Sequence, residues 1–272
     1  MSGASCLVLR LVGPLQSWGT SSQFNRRETD NAPSKSGVIG LLAAADGRRR
    51  NDPIADLVGL HFGVRVDQPG SLLRDYHTVS DVRGRPLLSA AVDSKGRQKR
   101  TSPPKYTGVT QRFYLQDASF VAIVEGDREL LSGLAEALVA PTFPLALGRR
   151  SCAPAAPPLV AGASGGLWEG PLHEVLRQVP WQATSGHIDR LRRAKQLRST
   201  VRLAATLDAE ALPEGGDGSA DDVRADLPSS FDPLKRSFGV RTVRHTWVDL
   251  PTGVAHPDIE RRAHDPFEIL GW

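Results

Sequence analysis

Residues 31–47 (NAPSKSGVIGLLAAADG) constrain the fold more than any other stretch. Val38, Leu41, Leu42 and Ala45 recur at i, i+3, i+4 and i+7, one apolar stripe that predicts a helix over about 34–46. Ser34 suits the N-cap and Gly47 the stop. A capping box would carry Glu or Gln at the third helical position, where Gly37 stands. The local sequence therefore offers the first-turn N–H groups no carboxylate. Lys35 sits there instead, unfavourable on its own at the positive end of a helix. Gly37 and Gly40 each cost about 1 kcal/mol of helix propensity relative to Ala. Open amides, Lys35, the hydroxyls of Ser34 and Ser36, and Gly37 for close approach predict a phosphate seat. The rival reading is a helix packed tightly on a sheet, with glycine for clearance.

Around this helix the chain alternates strands and helices. Residues 6–12 (CLVLRLV) predict a strand closed by Gly13 and Pro14. Residues 15–30 predict a loop carrying Trp18, Arg26 and Arg27, with Trp18 either stacking a base or belonging to a core or subunit interface. Arg48, Arg49 and Arg50 follow the helix, where cations favour its dipole. Residues 52–60 predict a short helical turn. Residues 61–67 alternate as a strand, with 72–79 as its expected partner. Residues 118–124 return as a core strand, and Asp127 caps a second helix to about residue 139. The order β-α-β-β-α predicts an α+β fold, close to a ferredoxin-like or RNA-recognition-motif domain over 1–145.

Residues 80–110 break the pattern. Seven cations, among them Arg83 and Lys105, face Asp81 and Asp93, which predicts a basic arm, a long hairpin turning at 93–96. Residues 146–272 predict a smaller, β-rich C-terminal region. It has an edge strand near 159–163, a short helix at 171–179, a basic and mixed stretch at 185–205 and a last strand at 238–250. Residues 208–226 hold seven acids, one arginine and three glycines, and predict a mobile loop.

Charge is unevenly placed. Residues 1–110 hold 16 Lys/Arg against 9 Asp/Glu, whereas residues 201–272 hold 8 against 13. A basic front half and an acidic end predict a polyanion partner on one side. No apolar run approaches the roughly 18 residues of a membrane span, and the N-terminus lacks a signal-peptide pattern. Cys6 and Cys152, far apart, fit buried thiols in a reducing cytoplasm and no zinc site. No metal or cofactor is expected.

Two constellations invite chemistry. Tyr76 and His77, with Lys105 folding back, could transfer protons in a metal-independent RNA cleavage; the rival is a His that binds RNA or a turn. Gly148, Arg149, Arg150 and Ser151 join arginine forks to a hydroxyl, suiting phosphate oxygens, against a rival of surface ion pairs. A nucleotide-binding enzyme built on the glycine helix is disfavoured by the missing Gly-x-Gly spacing and ribose-binding acid.

Residues 13–19 (GPLQSWG), 33–37 (PSKSG) leading into 40–42 (GLL), 74–79 (RDYHTV), 147–152 (LGRRSC) and 230–233 (SFDP) stand in order along the chain. Together they resemble the CasD family, the Cas-five subunit, subtype e, of the type I-E CRISPR Cascade surveillance complex. The resemblance spans about 6–250 and leaves the acidic stretch and the tail uncovered. It implies a RAMP-type ferredoxin-like domain with a thumb hairpin and no catalysis. It further implies a subunit that grips the 5′ handle of the CRISPR RNA and touches the backbone and large subunits, meeting target DNA only indirectly. The handle phosphates are then expected on the Ser34–Gly37 helix start, with Arg26, Arg27, Arg149 and Arg150 around them. His77 and Arg83, near the base of the expected thumb, are likewise expected to bind the RNA. Related subunits of another subtype cut the precursor RNA, which keeps the endoribonuclease reading as the alternative.

Overall fold

The computed structural model describes residues 4–20, 25–212 and 221–253. The elements in order are β1 (Ser5–Gln16), β2 (Arg26–Arg27), α1 (Lys35–Ala45), α2 (Ala55–Val58), β3 (His61–Gln68), β4 (Ser71–Ser80), β5 (Leu88–Val92), β6 (Gln98–Arg100) and β7 (Thr107–Gly126). They continue with α3 (Arg128–Val139), β8 (Trp168–Glu169), α4 (Leu172–Gln178), α5 (Ser185–Arg193), β9 (Thr200–Asp208), β10 (Asp221–Ser230) and β11 (Ser237–Pro251).

Nine strands form one sheet in the order β10-β11-β9-β3-β7-β1-β8, with β2 and β4 both pairing β7 off that path. Side-chain alternation puts a core on each face. Leu7, Leu9 and Leu11 of β1 and Phe120, Ala122 and Val124 of β7 turn toward α1 and α3. Cys6 and Val8, with Val121 and Ile123, turn toward α4 and the inner residues of β9 and β11. Burial on both faces explains why β1 and β7 read as continuous apolar runs. Asp127 caps α3 as expected, its carboxylate accepting from Leu130 N at 3.0 Å.

The 20-residue β7 organises the molecule. Its second half pairs β1 and β3; its first half runs out into the arm between β4 and β2. The expected pairing of 61–67 with 72–79 is therefore wrong. Both segments pair β7, β3 from His61↔Glu125 to Gln68↔Ser119 and β4 from Ser71↔Gln116 to Ser80↔Thr107. Between them Gly70, at φ 71°, makes a jog rather than a reversal. A Cβ on Gly70 would sit 2.5 Å from the Gln116 carbonyl oxygen. β5 and β6 make a separate two-stranded sheet at the end of the arm. The 93–96 turn is as expected, with Asp93 Oδ1 accepting from Lys95 N and Arg97 N at 2.9 Å each.

One C-terminal expectation is refined and one needs correction. The basic and mixed stretch 185–205 resolves into α5, an irregular link over 194–199 and the start of β9, which gives it more order than its composition announced. The predicted mobile loop 208–226 is not a loop at its ends: residues 209–211 make a helical turn, 221–226 lie in β10, and Asp208 and Asp226 are buried. Residues 213–220 and the tail from 254 lie outside the described residues. Arg48 likewise does more than meet the dipole of α1: its guanidinium forks onto Asp56 at 2.5 and 2.6 Å and reaches Asp46 at 2.7 Å, tying α2 to α1.

Candidate nucleic-acid interface

The start of α1 is closed. Ser34 caps it, its hydroxyl accepting from Gly37 N at 3.2 Å and meeting the Ser36 hydroxyl at 3.3 Å. The backbone N–H of Lys35 donates to Asp226 Oδ2 at 2.7 Å. Lys35 Nζ donates to Asp208 Oδ2 at 3.0 Å, and Arg241 joins both acids, reaching Asp208 Oδ1 at 2.5 Å and Asp226 at 2.7 and 3.0 Å. Phe62 N also donates to Asp208, and the Arg241 guanidinium lies 5.2 Å above the Phe62 ring. Two cations and two carboxylates make a buried group without net charge. The phosphate seat is thus corrected: the anion at this helix start is the chain's own Asp226, and the Lys35 ammonium is buried against Asp208.

Gly37 serves packing. A Cβ there would lie 2.7 Å from Trp18 Cε3. Trp18 is 1% exposed and donates through Nε1 to Gln16 Oε1 at 3.0 Å, so it belongs to the core and cannot stack a base. In front of this helix start lies a cavity of about 310 Å³, lined among others by Asp30, Ser34, Thr206 and Arg224. Burial holds the Asp30 carboxyl above its usual range, against the Thr20 hydroxyl and Arg224, which pull it down.

The arginine loop divides in two. Gly148, at φ 85°, takes a conformation in which a side chain would overlap the Ser17 carbonyl. Arg149 then reaches Phe113 O at 3.0 Å, Arg27 O at 2.7 Å and Glu28 O at 3.1 Å, and stacks 4.8 Å over Tyr114. Its fork clamps β2 to β7, which corrects its expected role as a free phosphate ligand. Arg150 is exposed and has no side-chain partner among the described residues. Arg26 and Arg27 are exposed on β2; Arg26 pairs Glu28 at 2.7 Å and lies 5.0 Å over Phe113.

On the arm, Tyr76 and His77 are consecutive in β4 and so point to opposite faces. His77 lies 3.6 Å from Asp75, while Lys105 is engaged with the arm's end, its N–H on Thr101 Oγ1 at 3.0 Å and its carbonyl accepting from Leu87 N at 2.7 Å. The ladder joins Ser80 to Thr107, about 10 Å along the strand from His77, and Lys105 lies beyond that end. These three residues do not form an acid–base set. Arg83 is exposed in the turn that Asp81 closes, accepting from Arg83 N at 2.7 Å. What the sequence did not announce is the arm's exposed apolar surface: Tyr76, Val82 and Tyr106 are 67, 99 and 57% exposed. Among the described residues, no group of three or more His, Cys, Asp or Glu is placed to hold a metal. Cys6 and Cys152 are buried free thiols, each pushed up in pKa chiefly by burial.

Residues 6–244 match the family described as CRISPR-associated protein (Cas_Cas5). The chain belongs to this Cas5 family. It is 36% identical over 172 residues to the CRISPR system Cascade subunit CasD of Escherichia coli K12, covering 58% of this chain and 70% of that one. A chain of a solved CRISPR RNA-guided surveillance complex superposes with a TM-score of 0.68 at 33% identity, covering 93% of this chain and 95% of that one. A crystal structure of a Cas protein gives a TM-score of 0.60 at 35% identity, covering 91% and 95%. The Cas5 match ends at residue 244, part-way along β11. It includes every residue of the buried Lys35–Asp208–Asp226–Arg241 group, so the packing that closes α1 lies wholly inside the Cas5 region.

Proposed function

We propose that this Cas5 chain is the CasD-type subunit of a type I-E Cascade complex, where it holds the 5′ handle of the CRISPR RNA and contacts the backbone and large subunits in antiviral defence. The observation that carries the reading is the arm: exposed cations and exposed aromatics on a hairpin that buries little of itself. Basic surface interleaved with aromatics suits single-stranded RNA. The strand order β3-β7-β1-β8, with α1 and α3 on one face, supports a ferredoxin-like, RAMP-type core, and the arm over about 80–110, carried by β4 and the first half of β7, is read as its thumb. With Lys35 buried and Arg149 clamped, the phosphate contacts fall to Arg26, Arg27, Arg83 and Arg150, with His77 as a hydrogen-bonding neighbour.

The role is binding rather than cleavage. Tyr76, His77 and Lys105 are not assembled, which favours it over the metal-independent endoribonuclease. The test is to co-express the chain with its neighbouring subunits and a CRISPR RNA, crosslink, and map contacts. Handle nucleotides should join peptides around 26–27, 74–85 and 150, and repeat RNA should survive with the purified chain in EDTA. Specific cleavage that His77→Ala abolishes would restore the nuclease.

A further inference from the structure

We infer that the strip from α5 to the start of β9, together with Trp247, is a second binding site for single-stranded nucleic acid, apart from the handle site. Residues 190–202 hold Arg190, Arg192, Arg193, Lys195, Arg198 and Arg202, and no acid. α5 buries none of its residues. It is nonetheless fixed: Thr184 N and Oγ1 bond Gln68 Oε1 at 3.1 and 3.0 Å, and Arg190 pairs Asp117 at 2.8 Å. Leu197 is buried, and the Thr252 hydroxyl holds the carbonyls of Arg198 and Ser199 at 2.6 and 3.1 Å, pinning the following turn to the end of β11. Carboxylates account for part of the charge. Asp117 takes Arg190, Asp189 takes Arg192 at 2.5 Å, and Asp249 faces Arg202 across the strands. Arg193, Lys195 and Arg198 are exposed and have no side-chain partner among the described residues.

The strip ends at Arg202 on an aromatic shelf, on the sheet face opposite Leu203, Val248 and α4. Trp247 projects from β11 beside Ala204, is 55% exposed, and carries the Arg202 guanidinium 5.4 Å over its ring. A small neighbour and a half-exposed indole suit a base, with Arg202 beside it; the cations of the strip suit the phosphates. From Trp247 to Pro251, opposite Thr200, is about 13 Å along the strand, room for a few nucleotides. An acidic protein would use the cations but has no need of the indole. β9 and β11 lie beyond β3, so Trp247 stands three strands, about 14 Å, from β7; the α5 end of the strip meets β7 at Asp117, five residues, about 17 Å, along the strand from Arg112, where β2 with its arginines pairs it.

The test uses the full chain and a short oligothymidine. Ultraviolet crosslinking should mark the peptide that carries Trp247, and that mark should persist in the Arg26→Ala/Arg27→Ala/Arg150→Ala variant. Trp247→Ala should weaken binding about tenfold or more, and Trp247→Phe should keep most of it. Replacing Arg193, Lys195 and Arg198 by Ala should flatten log K against log salt by about 2, at about 0.7 per phosphate contact. These positions are exposed, so thermal melting should stay unchanged; the phenylalanine and arginine variants decide the matter if Trp247→Ala melts early. Unchanged affinity and slope would sink the site. So would a crosslink lost with the β2 arginines, competition by polyglutamate equal to that of the oligonucleotide, or binding seen only after truncation at Gly253.

Discussion

The backbone N–H of Lys35 meets the carboxylate of Asp226 at 2.7 Å across 191 residues of chain. That one contact joins the first core helix to the last hairpin and fills the helix start with an internal anion. Removing one member of a buried ion group leaves a partner uncompensated, at about 3–5 kcal/mol. Arg241→Ala strips Asp226 of its only ion-pair partner among the described residues and should cost that much in urea unfolding. Lys35→Met should cost less, because Asp208 keeps Arg241 and the Phe62 N–H. Equal losses would mean that the four groups do not share charge as their distances imply.

The two glycines of α1 should respond with opposite signs. Each Gly→Ala gains about 1 kcal/mol of helix propensity. At Gly40 the new methyl meets Phe231 Cζ at 3.8 Å, an ordinary contact, so Gly40→Ala should raise the melting temperature. At Gly37 it meets Trp18 at 2.7 Å, and that indole is walled in by core and held by Gln16. Gly37→Ala should melt early yet bind RNA normally in the folded fraction. Thermal melting of both variants, with one binding assay, separates packing from phosphate binding.

The difference between what was legible and what was not follows sequence separation. The apolar stripe of α1, the Asp127 cap, the runs of β1 and β7 and the alternation of β11 are local patterns, and each found its element. The basic arm was also readable, because charge and missing core residues need no partner to be seen. Asp208 and Asp226 were not. Their environment comes from Lys35 and Arg241, and no local pattern distinguishes an acid that will be buried from a solvated one. Arg149 failed similarly: a loop arginine looks the same whether its fork meets phosphate or, as here, three backbone carbonyls. The β3–β4 pairing failed because two strands joined by a short Pro-Gly link normally make a hairpin, and only the length of β7 lets them lie end to end.

Asp30 gives a pH signature. Burial raises its pKa in the folded chain, so the folded state binds the proton more tightly than the unfolded state. The linked stability is therefore lowest above the raised folded value, grows as pH falls through it, and is fully gained below the unfolded value of about 4. Asp30→Asn removes the ionisation. It should raise the melting temperature near neutral pH, and the gain should vanish as the pH approaches about 4. A gain that is constant with pH would point to packing rather than charge.

Arg149 and Arg150 are neighbours with different work, and one pair of variants separates them. Arg149 bridges three carbonyls, one on β7, one on β2 and one just after β2, and stacks on Tyr114. An ammonium cannot span that fork, so Arg149→Lys should lower the melting temperature and speed hydrogen exchange at residues 25–30. Because that side chain is not offered to RNA, the salt dependence of handle binding by the folded fraction should keep its slope. Arg150 has nothing to lose within the fold, so Arg150→Ala should stay within about 0.5 kcal/mol of the parent in stability. If it neutralises a handle phosphate, the same change should flatten the slope by about 0.7. The reverse outcome, a stable Arg149→Lys chain with a flattened slope, would put Arg149 back on the RNA and leave β2 held by its backbone pairing alone.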